Sequence, residues 1–161
     1  MTGFKRTLVF AIVVLGISGC AARSSLMAPA EAPSAAPATS QARVVFMRPS
    51  SLGWAVQASV FETTGDATEF LGIVSSKTQL AVEVDPGEHR FMVVSEAADF
   101  MRADLQGGKT YYAIVTPRMG AWKARFSLVP VKRDADSEFS LGSEQFEQWR
   151  RNMDPVKTTP E

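Results

Sequence analysis

Residues 78–95 read TQLAVEVDPGEHRFMVVS, and this stretch decides the fold class. Two β-rich runs, Thr78 to Val84 and His89 to Ser95, flank Asp85-Pro86-Gly87-Glu88. Proline presets the first corner of a reversal and glycine accepts positive φ at the second, so Pro86 and Gly87 suit a type II turn. The layout recurs in both directions, with strands predicted at Ala42 to Met47, Trp54 to Phe61, Glu69 to Val74, Phe100 to Leu105, Thr110 to Thr116 and Trp122 to Val131. Between them lie turn segments rich in glycine and proline: 48–53, 63–66, 106–108 and 117–120. Short runs at this spacing predict an all-β fold, a small antiparallel β-sandwich of about 7–8 strands.

Alternation assigns the faces. Trp54, Val56, Ala58 and Val60 share one parity against Gln57 and Ser59, and Trp122, Ala124, Phe126 and Leu128 share one against Lys123, Arg125 and Ser127. Each strand is therefore expected to bury one face. Val44-Val45-Phe46-Met47 is apolar on both, which predicts a central strand with a covering element. The C-terminal segment can supply the cover as a short amphipathic helix near 143–152. Ser143 would cap it, Glu144 and Glu147 sit near its positive end, Arg150 and Arg151 near its negative end, and Asp154-Pro155 stops it. Phe146, Trp149 and Met153 would line its apolar stripe.

Composition narrows the partners. The chain has 161 residues and balances 17 basic against 17 acidic ones, so no net field gathers nucleic acid. Cys20 is the only cysteine, which excludes an intramolecular disulfide and thiolate metal clusters.

The N-terminal segment has its own layout. Lys5 and Arg6 precede an uncharged apolar run from Leu8 to Gly19, and small residues Ser18 and Gly19 precede Cys20. This is the order of a secretory signal, and the run is too short to cross a bilayer, which takes about 20 apolar residues. Ile17-Ser18-Gly19-Cys20 resembles the lipobox of bacterial lipoproteins. The resemblance implies cleavage before Cys20, diacylglycerol on its sulfur and acylation of the new amino terminus; two or more chains hold a protein stably on a membrane. Ala21, where inner-membrane retention uses Asp, implies a periplasm-facing place on the outer membrane. Residues 21–41, AARSSLMAPAEAPSAAPATSQ, carry proline at 29, 33 and 37 and little apolar bulk, which predicts a disordered tether. The expected organisation is a signal peptide at 1–19, the lipidated Cys20 and tether at 20–41, a β-sandwich domain at 42–132 and a tail with the helix at 133–161.

Three stretches of the domain, RVVFMRP at 43–49, VDPGEH at 84–89 and LQGGKTYY at 105–112, resemble a bacterial lipoprotein family of unknown function built on a PEGA-like or transthyretin-like β-sandwich. The resemblance implies fold and location and carries no activity.

The sequence offers no catalytic, cofactor or metal set. Gly107-Gly108-Lys109-Thr110 ends like a phosphate loop, but Ala103 stands where the first glycine belongs and a strand follows where a helix should start. A hairpin turn, with no nucleotide, is the expectation. His89 is the only histidine and shares parity with Phe91 and Val93, so it is expected to pack or hydrogen-bond structurally. Asp134-Ala-Asp136-Ser-Glu138 fails as a calcium loop, with Phe139 at the glycine position and Gln145 at the bidentate one. Arg48, Arg90, Arg118 and Arg125 could form an anion site but are interspersed with acids. Trp54 and Trp122 are expected in the core. The expected role is a non-enzymatic, lipid-anchored envelope module with an envelope protein partner. The alternatives are a small cell-wall-modifying hydrolase using His89 or a carboxylate pair, and a structural subunit of an envelope assembly.

Overall fold

The computed structural model describes residues 24–118, 125–133 and 136–159. Their elements run β1 (Met27–Pro29), β2 (Ala42–Arg48), β3 (Ala58–Glu62), β4 (Glu69–Val74), β5 (Thr78–Val84), β6 (Gly87–Val94), β7 (Ala98–Leu105), β8 (Thr110–Arg118), β9 (Arg125–Pro130), α1 (Glu144–Asn152) and β10 (Asp154–Thr158). The fold is all-β. Six strands in the order β1-β10-β5-β2-β8-β9 form one sheet, and four in the order β4-β3-β6-β7 form the other.

The chain passes between the sheets at both ends, through β2–β3 and β4–β5 at one and through β5–β6 and β7–β8 at the other. The β5–β6 turn carries Gly87 at φ 137, a conformation that a side chain would strain. The β7–β8 turn brings the chain back at the same end, so β8 enters alongside β2 and pairs with it in parallel. β10 likewise lies parallel to β5. The six-stranded sheet is therefore mixed, where the sequence reading expected antiparallel pairing, while every pairing of the four-stranded sheet is antiparallel.

One apolar cluster draws on both sheets, with Phe46, Leu80, Val115 and Phe126 from the first and Val60, Phe91, Val93 and Leu105 from the second. Phe46 and Phe91 meet edge to face at 5.3 Å, a contact that adds about 0.5–1.5 kcal/mol beyond burial. The opposite face of the six-stranded sheet has its own cluster: Val45, Met47 and Ile114 pack with Phe146 and Met153. The two-faced apolar run of β2 thus ends up buried on both sides, as its pattern requires. Ser143 caps α1, its side chain accepting a hydrogen bond from Phe146 N at 3.1 Å. Arg150 donates to Glu147 one turn earlier and holds that carboxyl below its ordinary range.

Ten strands are described where about eight were expected from the spacing. The two additional ones lie in segments whose composition argued against strands. β1 occupies part of the stretch read as tether and pairs with β10, which begins at the Asp154-Pro155 read as a stop. Hydrogen bonds from Ala30 N to Pro155 O (3.0 Å), Thr159 N to Leu26 O (2.9 Å) and Thr159 Oγ1 to Ser25 O (2.9 Å) stitch the pair. Met27 packs against the main core, and its sulfur accepts from Ile73 N at 3.2 Å. One methionine inserted between the sheet margins secures what a composition average cannot register.

The end of the same stretch is seated as well. Gly108 N donates to Ala38 O and Gln41 O, and a Cβ on Gly107 would fall 1.9 Å from Thr39 O. The severe clash is with backbone, with the Pro86 ring also close at 3.2 Å, and backbone yields at a cost of about 1–3 kcal/mol. Gly107→Ala is therefore expected to lower unfolding free energy by about that amount in a urea titration; an unchanged midpoint would place Thr39 elsewhere.

Candidate functional site

In the four-stranded sheet, residues opposite in parity to the core ones make the outer face. Phe70 on β4 pairs with Phe61 on β3, Phe61 with Met92 on β6, and Met92 with Phe100 on β7. Four large apolar side chains therefore form one row across the width of the sheet. Phe61 and Phe70 touch edge to face at 5.5 Å, with Phe70 39% and Phe100 54% exposed. Single exposed apolar residues are ordinary, whereas a contiguous row is a feature of interaction surfaces.

Cations edge this row. Arg90 and Arg102 are cross-strand partners two residues further along β6 and β7. The Arg90 guanidinium lies 5.8 Å from the Phe100 ring centroid, and its Nε donates to Thr63 Oγ1 at 3.0 Å. Beyond them an open cleft of about 450 Å³ is lined by Thr63, Thr64, Glu88, His89, Arg90, Arg102 and Asp104. The surface grades from aromatic through cationic to mixed polar. Sequence reading missed it because alternation was used to find the buried face; the signal was present in Phe91-Met92-Val93-Val94, which is apolar on both faces.

His89 sits beside the cleft in a structural setting. Its Nδ1 lies 2.6 Å from Glu62 Oε1 and its Nε2 2.7 Å from Asp85 O, and the ring stacks on Phe91 at 5.7 Å. A carbonyl oxygen only accepts, so Nε2 must carry a proton toward Asp85. With both nitrogens engaged, the imidazole clamps the end of β3 to the β5–β6 turn.

The other candidates are dispersed. Arg48 is fully buried, its guanidinium 4.2 Å from the Phe126 ring centroid. It donates to Val56 O at 2.5 Å, Gly53 O at 2.7 Å and Leu52 O at 3.3 Å, while Nε has no partner among the described residues. Burial pulls its pKa down to about 10, which leaves it charged at neutral pH. Arg118 and Arg125 are cross-strand partners on β8 and β9, and Arg118 approaches Asp99 at 3.8 Å. These arginines occupy separate elements and build no common anion site. Trp54, expected in the core, is 64% exposed. The strand predicted from Trp54 begins only at Ala58, because Arg48 draws the carbonyls of 52, 53 and 56 inward and turns the 49–57 segment into a loop. Trp122, Asp134 and Cys20 lie outside the described residues. The Gly107-Gly108 segment is the β7–β8 turn. Among the described residues, no group of three or more His, Cys, Asp or Glu is placed to hold a metal ion, and no helix is long and apolar enough to cross a membrane.

No family model matches the chain, and no curated protein matches it.

Proposed function

We propose that this protein is a lipid-anchored lipoprotein of the cell envelope, cleaved before and acylated on Cys20, whose two sheets pack as a PEGA-like or transthyretin-like β-sandwich. Its role in this reading is non-enzymatic: it holds a protein partner on the outer face of the four-stranded sheet, at a periplasm-facing membrane surface. The row Phe70–Phe61–Met92–Phe100 beside Arg90 and Arg102 supports the binding role. An apolar band flanked by adjacent cations complements a protein surface whose apolar patch is edged with carboxylates. The order of charge, apolar run and small residues before Cys20 supports the anchor.

Each half has its own measurement. Growth with an alkyne palmitate analogue is expected to label the wild-type chain and not Cys20→Ser, and only the wild type should require detergent to leave carbonate-washed membranes. An unlabelled wild type, or equal retention of the variant, refutes the anchor. A photo-crosslinker in place of Phe100 is expected to capture one defined protein, and Arg90→Glu/Arg102→Glu should cut its yield about tenfold or more, as reversed charges at a desolvated rim do. Equal yield with the reversed charges rules out this face.

A further inference from the structure

Among the described residues, four strands have a hydrogen-bonded neighbour on one side only: β1 and β9 bound the six-stranded sheet, β4 and β7 the four-stranded one. A bare edge is a template for another strand, and proteins blunt it with short strands, proline, bulges or a covering group. Three of these edges carry such a device. β1 has three residues and ends in Pro29. β4 bulges at Leu71, and its Ile73 N already donates to Met27 Sδ. β9 ends in Pro130, and its Leu128 N donates to Asp99 Oδ2. β7 is different: it runs eight residues, ADFMRADL, without glycine or proline, and pairs with β6 one to one along its whole length. Past Asp99, which serves β9, the run 100–105 keeps its outer edge free among the described residues.

The charges on this edge call for a neighbour. On the outer face of the sheet Arg90 stands directly opposite Arg102 and Glu88 opposite Asp104, all four exposed. Like charges directly opposite destabilise a strand pair, and neither Arg102 nor Asp104 has an ion-pair partner among the described residues. A second copy of the same strand supplies one. In an antiparallel pairing about a two-fold axis at Ala103, Arg102 faces Asp104 of the second copy and Asp104 faces Arg102 of the second copy. The row Glu88–Asp104 is then continued by the second copy's two arginines, and the row Arg90–Arg102 by its two acids, so each row closes neutral. Moving the axis by one residue sets Arg102 or Asp104 against itself, and moving it by two leaves Asp104 opposite Ala98 or Gln106. On the inner face the favoured register sets Met101 against Leu105 and Ala103 against itself, apolar throughout.

We propose that β7 is the contact strand of a homodimer, pairing antiparallel with β7 of a second copy about an axis at Ala103, so that two four-stranded sheets join into one. The contact uses the same strand on both copies and therefore closes at two without propagating. It stands on the edge strand and is independent of the partner-binding reading. Under that reading it places two apolar rows on one continuous face, with Phe61 and Phe70 on β3 and β4, away from the joint.

The test is self-association of the full chain, purified in detergent and followed by sedimentation equilibrium. A reversible dimer is expected. Arg102→Glu and Asp104→Arg should each weaken it about tenfold or more, since each converts two complementary cross-strand pairs into like-charge pairs. Mixed in equal amounts, the two variants should regain the dimer, because the acidic edge of one then faces the basic edge of the other; this recovery also shows that both are folded. Amide exchange in 100–105 of the wild type should slow as its concentration rises, a measurement that needs no variant. A wild type that stays monomeric, single variants that associate as the wild type does, no recovery on mixing, or exchange in 100–105 that ignores concentration overturns the proposal. Only this chain is present, so the outcome is separate from partner capture at Phe100.

Discussion

Arg48→Ala is expected to lower the unfolding free energy by about 3–5 kcal/mol, the range seen when a buried charged group is removed from its partners. Three carbonyls lose their donor at once, and a buried polar group left unsatisfied costs about 1–3 kcal/mol. The contact with the Phe126 ring is lost as well, and a fully buried side chain leaves a cavity when truncated. Urea denaturation measures the loss. Arg48→Lys should recover little of it, since a single ammonium cannot reproduce the planar fork that spans Leu52 to Val56. pH supplies a further check on the sign. The folded pKa lies below the unfolded one, so the unfolded chain binds the extra proton. Wild-type stability relative to Arg48→Met should accordingly rise as pH climbs above about 10. A wild-type-like denaturation curve for Arg48→Ala would remove the guanidinium from the role of loop support.

Phe146→Ala should cost about as much, 3–5 kcal/mol by the usual range for a buried phenylalanine, through a longer chain of consequences. The ring is 2% exposed and meets Tyr112 edge to face at 4.9 Å, packed with Val45, Met47, Ile114 and Met153. A helix as short as α1 is marginal without docking. Its release frees Met153, whose carbonyl accepts from Gln79 Nε2 at 3.2 Å, and with it the entry into β10. Amide exchange in β10 is therefore expected to accelerate together with the fall in stability. Trp149 is only half-buried against the same cluster, so Trp149→Ala should cost less than half as much. Unchanged exchange in β10 for Phe146→Ala would mean that the strand holds independently of the helix.

Much of the strand pattern was legible because each run alternates and each reversal carries a glycine or proline that its geometry needs. The bounds read for β4 and β5 from residues alone coincide with those in the structure, and Ser143 caps the helix because a hydroxyl stands one residue before the amphipathic run. What escaped had a common physical origin. β1 is held by Met27, by its pairing with β10 and, just before it, by the bond from Thr159 to Ser25 across 134 residues, and neither local propensity nor composition reports such distant partners. Trp54 kept the parity of Val56, Ala58 and Val60, yet the backbone leaves strand geometry before it, drawn by an arginine that pattern reading assigns to the surface. The aromatic row of the four-stranded sheet was half visible: β6 is apolar on both faces, but the register that aligns Phe70, Phe61, Met92 and Phe100 arises only once β4 bulges at Leu71, opposite Val60 and Phe61.

The stitching of Ser25 and Leu26 to Thr159 also orders events in time. β1 cannot find its neighbour until β10 has been synthesised and delivered. Until β10 is in place that margin stays open, with Met27 and the flank of β4 uncovered. Contacts this remote in sequence close slowly, so this margin is expected to be among the last parts of the sheet to become protected when the chain refolds.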